Sequence, residues 1–408
     1  MGVYAFNFID RQLLVILQES IKAELELSDT QLGLLTGFAF SMFYATLGIP
    51  IALLADKYNR VKIVAICLVI WSGITAITGL VTNYLQLVIA RIGVGIGEAG
   101  CTPPTHAIIS DYYPVEERGT AISIYSLGIY LGIFIGFLGG GILDQYYGWR
   151  IAFFGLGLPG VLFAGLLYTY VKEPQRGTFD PLTDTHQHSF WEVAQFLFSK
   201  KAFIYLVLGA GFSSFVQYSM GNWAPPFLSR YHGMTSEEIG IAMAIIVGIG
   251  GAIGTFAGGY LSDYFGKHSK RWYMWIPMIT GLLSIPCFVG GIFLSQKSLV
   301  LGLYFPSVIF ISMYLAPSVA ITQSLALPNM RAAASSILFF VGNIIGLGGG
   351  PLFVGILSDY LVPKYGDQSL RYALLSVVVA GFLSSLLYYL AGKSLVNKSL
   401  QKEIYSET

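Results

Sequence analysis

Ala55-Asp56-Lys57-Tyr58-Asn59-Arg60 and Ser262-Asp263-Tyr264-Phe265-Gly266-Lys267 are short polar breaks, each directly after a long apolar run, with aspartates 207 residues apart. The correspondence continues: Pro114, Gly128, Gly132 and Gly136 match Pro328, Gly342, Gly346 and Gly350 at a constant offset of 214. A chain that repeats itself at this spacing is built from two similar halves. Around the breaks lie twelve apolar runs, at roughly 2–22, 29–54, 61–80, 84–109, 119–142, 150–171, 202–229, 237–261, 272–294, 298–325, 332–357 and 371–391. Most are long enough to cross about 30 Å of hydrocarbon as helices. The alternation of a lipid-facing barrel is absent, so an all-α integral membrane fold is expected.

Composition supports the same conclusion. Hydrophobic residues make up 55% of the 408 positions and charged residues 11%, against about 25% charged in soluble domains. With so little charge the chain could not solvate a soluble exterior. The net charge of +1 gives no reason to expect a nucleic-acid partner. Cys67, Cys101 and Cys287 sit in apolar runs without metal-ligand spacing, and no cofactor or metal site is expected. No cleavable signal peptide precedes the first run, and the chain begins almost inside it at Gly2, so a natural N-terminal tail is expected outside this sequence.

Orientation follows from lysine and arginine. With both termini cytoplasmic, the inner loops hold fifteen of the 23 basic residues and the outer loops six, Arg11 and Arg91 being left inside the membrane. The expected domains are 1–171, a six-helix bundle; 172–200, a cytoplasmic linker; and 201–408, a second six-helix bundle with a tail. Within the linker, Phe190-Trp191 and Phe196-Leu197-Phe198 suggest a short amphipathic helix at the interface. Two six-helix halves of this kind are expected of an alternating-access carrier. No oligomerisation signal is present, and a monomer is expected.

The loop Ala52-Leu53-Leu54-Ala55-Asp56-Lys57-Tyr58-Asn59-Arg60-Val61-Lys62 resembles the signature loop of the major facilitator superfamily, with Ala52 and Asn59 where glycines are usual. Three further features resemble the Spinster family within it: Asp10-Arg11; Arg91 to Gly100 followed by Pro103-Pro104 and Asp111; and Gly148-Trp149-Arg150. The resemblance implies twelve helices, proton coupling, and lysolipid or sphingoid phosphate substrates of the kind eukaryotic members carry. It also implies a cytoplasmic gate latched at Asp56, Lys57 and Arg60, with Asp263 as the repeat's counterpart, and a cavity lined by the first, fourth, seventh and tenth helices. Gln217, Tyr218, Asn222, Trp223, Tyr314 and Gln323 are then the polar or aromatic cavity candidates, against a plain packing role.

An ionisable residue deep in hydrocarbon costs roughly 2.5–3.5 kcal/mol on insertion scales, so each needs a reason. The deep ones are Asp10, Arg11, Arg91 and Glu98, all in the first and fourth runs, with His106 nearer the cytoplasm. Arg91 and Glu98 are two turns apart on one helix face, about 10 Å along the axis. Each therefore needs a partner on another helix, and Asp10 is the expected acid for Arg91. Glu98 and Asp10 are the expected proton sites, with Arg91 as counter-ion or headgroup ligand; a fixed ion-pair network is the alternative. Arg11, about 100° around from Asp10, is expected to point elsewhere, and His106 to be packed. Gly95-Ile96-Gly97-Glu98-Ala99-Gly100 matches a dinucleotide fingerprint only formally, since it lies inside a span.

An amphipathic substrate suits a charged wall facing an apolar one. A carrier or uniporter for a small polar solute or drug shares the fold, and a non-transporting sensor is a more distant alternative. No nucleophile elbow or Walker loop suggests an enzyme or an ATP-driven pump.

Overall fold

Two capping boxes begin equivalent helices of the two halves. Ser28 accepts from the backbone N–H of Gln31, and Thr235 from that of Glu238; in both, the Gln or Glu side chain reaches back to the cap. The caps lie 207 residues apart, the offset of the two aspartates. Each such box satisfies two orphan donors at a helix start. The computed structural model describes residues 1–55, 57–179, 190–327 and 330–406, so Asp56 and Pro328 lie outside the described residues.

The chain is all-helical among those residues. Nine helical stretches are long and apolar enough to span a membrane by length and composition, and the last, Arg331–Leu395, holds two spans. With the first two runs the total is twelve. The first is Gly2–Ile16 continued by Gln18–Leu25, and the second runs from Asp29 to Ala55 through a π-helical turn at Leu34–Phe38. The third is Arg60–Thr78, the fourth Tyr84–Ala99 and Thr102–Tyr112, the fifth Val115–Tyr147 and the sixth Trp149–Tyr170. The seventh is Lys201–His232; the eighth, Ser236–Met243 and Gly250–Gly266, encloses a second π-helical turn, Ala244–Ile249. The ninth is Trp272–Phe293, and the tenth breaks at Met313–Tyr314 as the fourth breaks at Gly100–Cys101. A proline follows each break, at Pro103–Pro104 and at Pro317, where a missing N–H is tolerated at a helix start.

Two compact units emerge, Met1–Asp184 with Asn222–Ile249, and Thr185–Gly221 with Gly250–Thr408. In the first, the fifth span lays its glycines on the first span. A Cβ at Gly128 would lie 2.5 Å from the Met1 carbonyl, and one at Gly136 would lie 2.9 Å from Gln12 Cβ and 3.0 Å from the Ile9 carbonyl. Small residues let helix backbones approach in lipid, and this approach fixes the rotation of the helix carrying Asp10 and Arg11. The second unit repeats the arrangement: a Cβ at Gly350 would meet the Phe215 carbonyl at 2.8 Å.

Gly148, at φ +81, makes the sharp turn between the fifth and sixth spans that a side chain would resist. Beyond it Arg150 donates to the carbonyls of Gly79 (3.0 Å) and Val81 (2.6 Å) and to Glu24 (2.6 Å), while Trp149 Nε1 donates to Glu24. The motif thus ties together three helix ends. In the second unit the helix Phe190–Phe198 buries Val193 and Leu197 in the hydrophobic core and leaves Trp191 79% exposed. Lys200 anchors its end, donating to the Leu325 carbonyl (2.5 Å) and lying 3.7 Å over the Phe196 ring.

Candidate functional site: a buried charge cluster

The glycine-lined contact of the first and fifth spans turns one face of Gly2–Ile16 toward the fourth span. Arg11 Nε donates to Glu98 Oε2 at 2.8 Å, and the Glu98 carboxylate is fully buried. Asn7, one turn before Arg11, is fully buried with its amide nitrogen and oxygen unbonded, as is the second oxygen of Glu98. Around the Arg11 guanidinium stand three rings, Phe8 at 5.0 Å, Phe40 at 4.7 Å and Tyr44 at 4.5 Å from its carbon. Such cation–π contacts offset part of the desolvation of a buried cation.

Asp10 is 1% exposed, its two carboxyl oxygens and the Thr75 hydroxyl are buried without a hydrogen-bond partner, and Glu98, Arg91 and Arg11 lie within electrostatic reach. Arg91 is buried too; its Nε donates to the Leu35 carbonyl at 3.4 Å and its guanidinium carbon lies 5.1 Å from the Phe40 centroid. Leu35 belongs to the π-helical turn, a feature frequent at functional positions. All four charged residues are thus brought together, but the direct ion pair is Arg11–Glu98, and the hydrogen-bond partner of Arg91 is main chain. Arg11, expected to point elsewhere, is thus turned toward the fourth span, while Asp10 stays within electrostatic reach of Arg91 without a direct ion pair.

A buried carboxylate beside a guanidinium stays ionised; the same carboxylate with the cation withdrawn takes up a proton. Arg11 is the cation paired with Glu98 here. Asn7, Thr75, Phe40 and Tyr44 escaped the sequence reading. The signal for them was slight: Asn7 and Asp10 are one turn apart on one face, as are Phe40 and Tyr44.

The other anticipated residues lie apart from the cluster. Arg60 donates to Asp111 (2.5 Å), Glu173 (2.7 Å) and the Pro174 carbonyl (3.2 Å), which ties the third span to the end of the fourth and the start of the linker within the first unit. Lys57 and Asp263 are exposed, and Asp263 accepts from Tyr273 at 2.8 Å. His106 sits edge-on to Tyr125. In the second unit Gln217 donates to Ser312 (3.1 Å) and accepts from Tyr314 (3.4 Å), a neutral polar group joining the seventh and tenth spans. Tyr218 is half-buried beside it, and Gln323 is exposed and bonded to Ser335. Asn222 and Trp223 belong to the first unit, where Trp223 is fully buried and the Asn222 carbonyl accepts from Gln18 at 2.7 Å.

A second charged group was not foreseen. Arg230 donates to Glu19 (3.0 and 2.7 Å) and to Asp29 (2.8 and 2.8 Å), and Lys22 also bonds Asp29. Nearby, Asp144 accepts from Ser20 (2.7 Å) and Ser236 (2.5 Å). The sequence signal was a set of acids, Glu19, Glu24, Glu26 and Asp29, around the junction of the first and second spans.

Comparison with known proteins gives a consistent result. The family model described as Major Facilitator Superfamily matches residues 1–351. An MFS-type efflux pump of Mycolicibacterium smegmatis is 35% identical over 391 residues, covering 95% of this chain and 90% of that protein. The sphingosine-1-phosphate transporter SPNS2 of Danio rerio is 26% identical, with 98% of this chain and 86% of that protein covered. Among solved structures, a bacterial homolog to the human lysosomal transporter Spinster, inward-facing and unoccupied, superposes with a TM-score of 0.90 at 31% identity, over 97% of this chain and 96% of that one.

Proposed function

The chain belongs to the major facilitator superfamily, in its Spinster branch, and we propose that it is a proton-coupled carrier of an amphipathic, lysophospholipid-like or sphingoid substrate. It is an integral multi-pass membrane transporter whose relatives are transporters, not enzymes. The observation that carries proton coupling is the buried Arg11–Glu98 pair with Asp10 and Arg91 beside it. Glu98 and Asp10 hold protons, Arg11 and Arg91 exchange partners as they load, and protonation of Glu98 frees the Arg11 guanidinium. The amphipathic substrate is supported by contrast: the first unit supplies charge, while Gln217, Ser312 and Tyr314 of the second offer neutral groups among apolar side chains. The SPNS2 relative, named for sphingosine-1-phosphate, points the same way. The protein sits in a bacterial inner membrane as a monomer with both termini in the cytoplasm, its repeat units being 1–171 and 201–408.

A second reading, export of a small solute or drug, is favoured by the efflux-pump relative. Proteoliposomes containing a pH dye separate the two. Lysophosphatidylethanolamine or sphingosine-1-phosphate is expected to drive proton movement that Glu98→Gln abolishes. Proton movement with ethidium alone would favour the second reading, and no proton movement with any of them would reject coupling.

A further inference from the structure

One aromatic ring serves both buried arginines. The Phe40 centroid lies 4.7 Å from the Arg11 guanidinium carbon and 5.1 Å from that of Arg91, and the ring is 1% exposed. Phe8 and Tyr44 lie over Arg11. The ring of Phe40 is held firmly. It stacks on Tyr44 at 5.4 Å, and the fourth span presses on its backbone at Gly95, where a Cβ would lie 2.9 Å from the Phe40 carbonyl and 3.4 Å from the ring. The preceding π-helical turn gives Arg91 its main-chain acceptor at Leu35. Phe40 on the second span therefore connects a cation of the first span with a cation of the fourth.

From this geometry we infer that Phe40 is a positioning residue for the proton switch, holding Arg11 against Glu98 and linking its position to that of Arg91. The inference rests on the proton-coupled reading above. Two guanidiniums near one another in a dry interior repel, and the negative face of a ring lowers that cost for both. Without the ring Arg11 is held less firmly, and a carboxylate with a less firmly held cation takes its proton at a higher pH. The titratable and charged groups facing this pair, among the described residues, are Asp10 on the first span, Tyr44 on the second, and Arg91 and Cys101 on the fourth.

The test needs no substrate. Infrared difference titration of the protein in lipid nanodiscs follows the protonated-carboxyl band, assigned to Glu98 by its loss in Glu98→Gln. Phe40→Leu is expected to move the midpoint of that band upward by about half to one and a half pH units. Tyr44→Leu, which removes a ring from Arg11 but none from Arg91, moves it less, and Phe40→Trp returns it close to the parent. Phe40→Met replaces the leucine variant if thermal unfolding shows that variant misfolded. An unmoved midpoint in Phe40→Leu or Phe40→Met, or equal shifts in Phe40→Leu and Tyr44→Leu, overturns the inference while Glu98 keeps its role. A band unchanged in Glu98→Gln removes Glu98 as the proton site, and this inference with it.

Discussion

Arg11 and Glu98 each leave a buried partner stranded if the other is removed. Truncating one member of a buried ion pair costs about 3–5 kcal/mol, because an uncompensated charge stays behind. Arg11→Leu is therefore expected to lose about that much stability at neutral pH. The Arg11→Leu/Glu98→Gln double variant should recover most of it, as thermal unfolding in detergent would record. Equal losses in the single and double variants would mean that the pair contributes little. At this scale the sequence was partly legible. Charge is so scarce in the spans that Asp10, Arg11, Arg91 and Glu98 stood out by themselves. Which arginine takes Glu98 was not legible, because one residue's step turns a side chain by about 100°. The rotation is set by glycines more than a hundred residues away.

Helices are where the sequence spoke most plainly. Hydropathy and the 207- and 214-residue offsets placed the spans and the two-fold repeat, and the matched capping boxes at Ser28 and Thr235 carry the same offset into local structure. Ser28→Ala and Thr235→Ala should each lower stability by about 1 kcal/mol. Gly128→Val is expected to do more, because its side chain would drive the first span off the fifth and turn Arg11 away from Glu98. Gly165→Ala, where nothing lies within 4 Å of the added Cβ, should be nearly neutral. Unfolding midpoints of the two glycine variants check this contrast. The π-helical turns were not legible, since an i→i+5 turn has no composition of its own, and the one at Leu34–Phe38 supplies the carbonyl that Arg91 uses.

Across the whole molecule, the least legible feature was the group around Arg230. Its partners Glu19 and Asp29 are 211 and 201 residues away in sequence, so no local pattern joins them. Arg230→Gln is expected to loosen that end of the first unit. A cysteine in place of Ser20, half-buried and bonded to Asp144, should then react faster with a membrane-impermeant maleimide. An unchanged rate would mean that the Arg230 contacts do not hold that end together. Composition decided the membrane class at this scale, whereas the contacts of a few polar side chains, such as Gln217 and Tyr314, emerge only in the folded chain.

The central claim is that Glu98 carries the coupled proton. Its most direct test is dye-reported proton movement into proteoliposomes on addition of lysophosphatidylethanolamine, comparing the parent protein with Glu98→Gln at equal incorporation. The account predicts substrate-dependent proton movement in the parent and none in the variant. Equal movement in both would place the coupled proton elsewhere and contradict it.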